Sequence, residues 1–332
     1  MNRYELPSKA KGMGMRALLR DMPAGVPADC LLARIRGRRS FLVRDWDRLL
    51  LARQPLAMLP VAPWRSAASG VEGWALQALQ QEYFWAFSRM DEQLRRSTAP
   101  FFWLAELRTL AVCLRFLTGG GTNLDRLLKG SLLANSIVDL LRKADGGAPA
   151  VTGLASILAR YDPVFTGLAD IYRAGGSGAL EAALYEKSLQ SLALTSVHPQ
   201  MRRYCALMID SRNLTTVAKR LRWRLGTIPP LLEGGTLPPQ RLAELFRSRD
   251  SAGLLHIAMR LGGEAPYRES ADLERVLYEA QGRIMRRMAR GADGIGAILH
   301  YLWRCGNEAA NIGLLEKLDS AGIEHAGAEL RR

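Results

Sequence analysis

The chain is short of strand formers, of aromatic side chains and of neighbouring cysteines, and each shortage closes a class of protein. Aromatic residues make up 7% of the 332 residues, and runs of Val, Ile and Thr are scarce, which disfavours sheet architectures. The four cysteines, Cys30, Cys113, Cys205 and Cys305, lie far apart and form no C-x-x-C. That spacing speaks against a zinc cluster and against a disulfide framework, and it predicts reduced thiols in a cytoplasmic protein. No apolar run is long enough for a membrane span: the longest uncharged stretch, Gly146–Ala159, is interrupted by Gly and Pro. The first residues carry charges throughout and predict no secretory signal.

Catalytic patterns are missing too. There is no G-x-x-x-x-G-K-[ST] phosphate loop, and Gly119–Asn123 (GGGTN) reads as a turn because it lacks the Lys and the preceding strand. His198, His256, His300 and His325 are scattered and form no H-E-x-x-H. No D-D-x-x-D stands ready for magnesium, and no Ser or Cys sits in a nucleophile elbow. No catalytic residue, cofactor or metal is expected.

What the chain does have is Leu, Ala and Arg, all strong helix formers, with 48% apolar residues to fill a core. An all-α protein is predicted. The formal charge of +14 is uneven: 19 Lys and Arg face 11 Asp and Glu over 1–128, 13 face 8 over 129–233, and 14 face 13 over 234–332. A basic first part suits an acidic protein surface, an anionic membrane face or nucleic acid. The densest basic run, Arg34, Arg36, Arg38 and Arg39, is a candidate interaction face. Base-stacking aromatics are not interleaved there, so a solvated or protein-binding face is favoured and nucleic acid is not expected. Arg286–Arg290 reads the same way. The run lies within Cys30–Ala52, which has helical apolar periodicity.

One helical pattern recurs. Trp103–Leu117, Leu207–Leu221 and Cys305–Asp319 each carry an acid, Glu106, Asp210 or Glu308, followed three and four residues later by Thr-Leu, Asn-Leu or Asn-Ile. Apolar residues stand three before, four after and seven after each acid, so the acid falls inside the greasy stripe. A second helix precedes each copy: Leu180–Glu186 and Leu273–Glu279 share five of seven residues, and Val71–Gln77 is a weaker third. Glycines follow, at Gly120, Gly234 and Gly322, as caps and turns. Three helical units of about 100 residues are therefore expected, at 1–128, 129–233 and 234–332.

A carboxylate among Leu side chains is costly unless hydrogen-bonded or paired. It is either a general acid or a buried anchor tied to an Arg or to backbone N–H groups. Repetition favours the anchor: an active site needs its acid once, a construction device once per unit. Glu106 with Thr109, Asp210 with Asn213, and Glu308 with Asn311 are the predicted structural sets.

The series of motifs resembles a known family. Ala33–Trp64 looks like its Arg-x-Arg and Leu-rich opening, Met208–Leu225 like its D-x-x-N-L helix, Glu233–Leu245 like its Gly-Gly-x-[LI]-Pro turn, and Tyr301–Leu315 like its closing E-x-x-N-[LI] helix. The family is the C subunit of archaeal and bacterial V/A-type ATPases, subunit d of the vacuolar enzyme. Thr109 stands where the family usually has Asn. The resemblance implies three helical domains in a pseudo-threefold funnel, capping the membrane c-ring and receiving the central stalk. It further implies torque transmission for ion transport, no active site, and a cytoplasmic position peripheral to the inner membrane, with anionic lipid heads as a possible contact. The rivals are a basic all-helical RNA-binding scaffold and a helical enzyme with one acid catalyst.

Overall fold

The computed structural model describes residues 14–51, 55–60, 74–121, 124–195, 198–261, 263, 273–317 and 330. Among these residues every extended regular element is a helix. In chain order the α-helices are α1 (Ala28–Arg38), α2 (Trp46–Leu50), α3 (Trp74–Arg89), α4 (Glu92–Thr118), α5 (Asp125–Leu128), α6 (Asn135–Lys143), α7 (Gly147–Tyr161), α8 (Leu168–Thr195), α9 (Pro199–Arg222), α10 (Pro239–Arg247), α11 (Ser251–Leu261), α12 (Leu273–Met288) and α13 (Ile295–Leu315). One isolated antiparallel bridge, Leu19 with Leu133, is the β-type pairing among them. By packing, the chain groups into two compact units: Met1–Ala24, Glu92–Asp210 and Leu232–Thr236 form one, and Gly25–Asp91, Ser211–Leu231 and Leu237–Arg332 the other. This grouping follows packing, whereas the three predicted units follow sequence copies.

The first unit is built on α4. Phe101, Phe102, Trp103, Leu107, Leu110 and Leu114 are buried on successive faces of it, the mark of a helix surrounded by protein. α7, α8 and a 3₁₀ turn at Gly14–Leu18 pack against it. The Trp103 indole N–H donates to Ser188 Oγ on α8 at 3.0 Å, which satisfies the one polar group of that buried ring. Arg95, also buried, donates to the carbonyls of Met22 and Pro23 at 2.7 and 2.6 Å and so fastens the N-terminal segment. α4 ends where Gly120 takes φ +82°, with Gly121 N–H returning to the Phe116 carbonyl at 2.9 Å. That is the left-handed cap that glycine supplies without a Cβ clash.

In the second unit α3 and α13 lie side by side. Ala75, Ala78 and Ala86 form a stripe of small buried residues on α3 that permits the close approach. A second core joins Leu214 and Val217 of α9 to Leu242 of α10, Leu254 and Ala258 of α11, and Val276 and Leu277 of α12. The periodic run Cys30–Ala52 is not one helix. α1 gives way to a 3₁₀ turn at Arg39–Phe41, residue 42 is extended, and α2 begins afresh at Trp46 under an N-cap from Asp45, which accepts from Arg48 N–H at 2.9 Å. The break occurs where the backbone N–H of Val43 is used elsewhere.

Candidate functional site

Glu106, Asp210 and Glu308 are buried, with relative exposures of 5%, 0% and 6%. Each carboxylate accepts from a backbone N–H in the short non-helical segment leading into a helix. Glu106 takes Leu132 N–H at 2.8 Å and the Ser131 hydroxyl at 2.8 Å. Asp210 takes Thr236 N–H at 3.0 Å and the Thr236 hydroxyl at 2.5 Å. Glu308 takes Val43 N–H at 2.6 Å. The donor residue stands three places before the helix in every case: Leu132 before α6 at Asn135, Thr236 before α10 at Pro239, Val43 before α2 at Trp46. The sequence separation is 26 for both Glu106–Leu132 and Asp210–Thr236. Glu308 instead reaches back across the chain to residue 43.

The choice of Asp or Glu follows from reach. Asp210 is one methylene shorter, and its lead-in segment comes closer. A Cβ added at Gly235 would lie 2.1 Å from Asp210 Oδ1, so only glycine fits there. At the matching place beside Glu106, Ser131 has room for a hydroxyl that itself donates. The lead-in segment at Leu132 is further held from its other side: Arg20 N–H donates to the Leu132 carbonyl at 2.7 Å and Ala134 N–H to the Leu18 carbonyl at 2.9 Å. Burial pushes the Glu106 carboxyl up, opposed by the Leu132 N–H, the Ser131 and Thr109 hydroxyls and the charge of Arg20. Thr109 thus bonds the acid it accompanies, and Asn213 and Asn311 are buried on the same helices as theirs.

A second contact repeats. The base nine residues after each acid is Arg115, Lys219 or Lys317. Arg115 forms an ion pair with Glu181, the first acid of the Leu180–Glu186 copy. Lys219 lies 3.9 Å from Glu274, the first acid of the Leu273–Glu279 copy. The corresponding acid of the weaker copy, Glu72, lies outside the described residues, as do the third glycine Gly322 and His325.

A family model described as ATP synthase (C/AC39) subunit matches residues 78–316, well over half of the chain. The chain belongs to the ATP synthase (C/AC39) subunit family. No curated protein matches it. The matched span contains all three acid helices of this C/AC39 subunit, and the family agrees with the resemblance read from its motifs.

The basic run of the C/AC39 subunit divides. Arg34 and Arg36 are exposed on α1. Arg38 turns inward, pairs with Glu82 at 2.6 Å and lies 3.7 Å over the Trp85 ring. Arg39 points to His300, donating towards Nδ1 at 3.4 Å. Glu82, 1% exposed, also accepts from the Tyr301 hydroxyl at 2.6 Å, linking α3 to α13. No repeat points to this acid: its stripe partners are alanines and it has no second copy in the chain. The signal was present: Ala75, Ala78, Glu82 and Ala86 fall on one helical face.

Burial raises Glu82 to about 7, against lowering by the Tyr301 hydrogen bond and the Arg38 charge. Burial and the Arg39, Arg304 and Arg286 charges hold His300 down to about 4. The two act with opposite sign. The proton on native Glu82 stabilises the fold fully below its unfolded value of 4.5, and this contribution is lost as pH rises towards 7. Neutral His300 contributes fully above 6.5, and its contribution is lost as pH falls towards 4. Between 4.5 and 6.5 they offset each other. In Glu82→Gln the offset is gone, and stability should fall on acidification through that window relative to the parent, with a slope difference approaching about 1.4 kcal/mol per pH unit. Urea midpoints at a series of pH values test this; parallel pH profiles for parent and variant refute it.

Among the described residues no helix is long and apolar enough to cross a membrane, and no three His, Cys, Asp or Glu side chains group as metal ligands. Cys113, Cys205 and Cys305 are buried thiols and Cys30 is an exposed one, none of them in a disulfide.

Proposed function

We propose that this subunit is a non-catalytic socket in the rotor of a V/A-type ATPase. It joins the membrane c-ring to the central stalk and carries torque between ion translocation and ATP hydrolysis or synthesis. In this reading the repeats 1–128, 129–233 and 234–332 surround a pseudo-threefold axis as a funnel. The supporting observation is the order of the carboxylate contacts. Glu106 holds the segment leading into the second repeat, Asp210 that of the third, and Glu308 that of the first. A linear array would leave its last acid without a lead-in segment to hold; a ring leaves none over. The Arg115–Glu181 and Lys219–Glu274 pairs follow the same order.

Torque transmission needs stiffness, and buried charge-assisted hydrogen bonds resist shear better than apolar contacts, which have no preferred direction. The subunit holds no active site in this reading, and its acids are anchors. Exposed Arg34 and Arg36 offer positive charge to acidic stalk residues or anionic lipid heads. The test is purification of the tagged chain from detergent-solubilised membranes of its host. Recovery of c-ring and stalk subunits in the same particle is expected. Recovery without either, or with RNA alone, overturns the proposal.

A further inference from the structure

A cavity of about 560 Å³ opens beside Glu308 in the second unit. Five arginines line it, from three places in the chain: Arg39 and Arg44 from the segment between α1 and α2, Arg286 and Arg290 from the end of α12 and the turn after it, and Arg304 from α13. His300 completes the basic wall. Three carboxylates share the lining, Asp45, Asp47 and Glu308. Two of them are engaged by backbone N–H groups: Glu308 by Val43 and Asp45 by Arg48. Among the described residues none of the five guanidinium groups has a carboxylate within ion-pair distance. Arg39 and Arg304 reach only neutral acceptors, His300 Nδ1 and the Val43 carbonyl.

Like charges converging on a concavity are costly unless something compensates them. At Arg304 burial is the main influence and lowers the pKa; the Glu308 charge, next in size, raises it, and the charges of Arg39 and Arg44 lower it by less. Guanidinium forks from several directions suit an anion with many oxygens rather than a single two-oxygen carboxylate. We propose that this cavity is a binding site for a diphosphate-type anion, held by Arg39, Arg44, Arg286, Arg290 and Arg304. The shared chemistry is two linked phosphoryl groups, free in solution or on a lipid headgroup. The proposal stands apart from the rotor reading, because the isolated chain can be tested.

Inorganic pyrophosphate titrated into the purified full-length chain by calorimetry should bind more tightly than sulfate at equal ionic strength. The double variant Arg286→Gln/Arg290→Gln alters two exposed side chains and should weaken pyrophosphate by at least about tenfold. Arg34→Gln/Arg36→Gln removes the same charge from α1 and should leave the affinity within about twofold. The His300 ring gives a local readout by NMR: a bound anion neutralises the field of Arg39, Arg286 and Arg304, and the imidazole titrates higher than its value of about 4. Flotation with phosphatidylcholine vesicles containing diacylglycerol pyrophosphate distinguishes a headgroup source: Arg286/Arg290-dependent flotation assigns the site to lipid, and soluble binding alone assigns it to a free anion. Pyrophosphate binding no tighter than sulfate, or equal losses in both double variants, overturns the proposal.

Discussion

Asp210→Ala lowers the stability of the protein by about 2–3 kcal/mol, because the N–H and hydroxyl of Thr236 lose a charged acceptor whose own side chain is fully buried. Glu106→Ala strips the Leu132 N–H and the Ser131 hydroxyl in the same manner and costs a similar amount, about 3 kcal/mol. Glu308→Ala frees the Val43 N–H and falls in the same range, about 2–3 kcal/mol. Asp210→Asn retains one carbonyl acceptor and costs less. Gly235→Ala should mimic the loss from the other side, since its methyl would displace the carboxylate at 2.1 Å. Urea or thermal unfolding of the isolated chain measures all five. The comparison matters more than any one value. An anchor used once per repeat makes all three acids matter to folding, whereas a catalytic acid leaves two of them dispensable. Parent-like stability in any of the three alanine variants would falsify the anchoring role.

Gly296→Ala and Gly313→Ala, two substitutions on one helix, should move stability in opposite directions. A Cβ at Gly296 would stand 2.0 Å from the Met288 carbonyl oxygen and 2.5 Å from its carbon. Both belong to backbone, which cannot rotate away as a side chain would, so α12 and α13 must separate. The cost lies at the upper end for overpacking, about 3 kcal/mol. At Gly313 a Cβ meets nothing within 4 Å, and the residue lies inside α13. Alanine there lowers the entropy of the unfolded chain and should stabilise by about 0.5–1 kcal/mol. Unfolding curves of the two variants beside the parent decide it; equal shifts of the same sign would refute the account of the α12–α13 approach.

The helical class was legible because Leu, Ala and Arg leave little else to form. The three acids were legible because they recur at one place in a repeated stripe. Their partners were not. Val43, Leu132 and Thr236 contribute mainly backbone N–H groups, which every residue but proline carries, so no side-chain pattern marks them. Only the three-residue distance to the next helix unites them, and that distance exists in the fold. Periodicity also overran the break between α1 and α2, since Leu42, Val43 and Trp46 keep the apolar spacing while the backbone leaves the helix. The four arginines of the densest run read as one face. They divide because Glu82 and His300, far along the chain, draw Arg38 and Arg39 inward. Charge composition gives no sign of such a partner when it lies 44 or 261 residues away.

The bond from Val43 to Glu308 spans 265 residues of the 332. A polypeptide leaving the ribosome therefore presents residue 43 long before its acceptor exists. Glu106 and Asp210 can find their donors within 26 residues of synthesis, while the last clasp waits for α13. Translation thus sets an order of closure, with the amino-terminal helices held open until the final helix emerges. A nascent chain stalled before residue 295 should leave the Val43 amide exchanging freely with deuterium, and release of the full chain should protect it last.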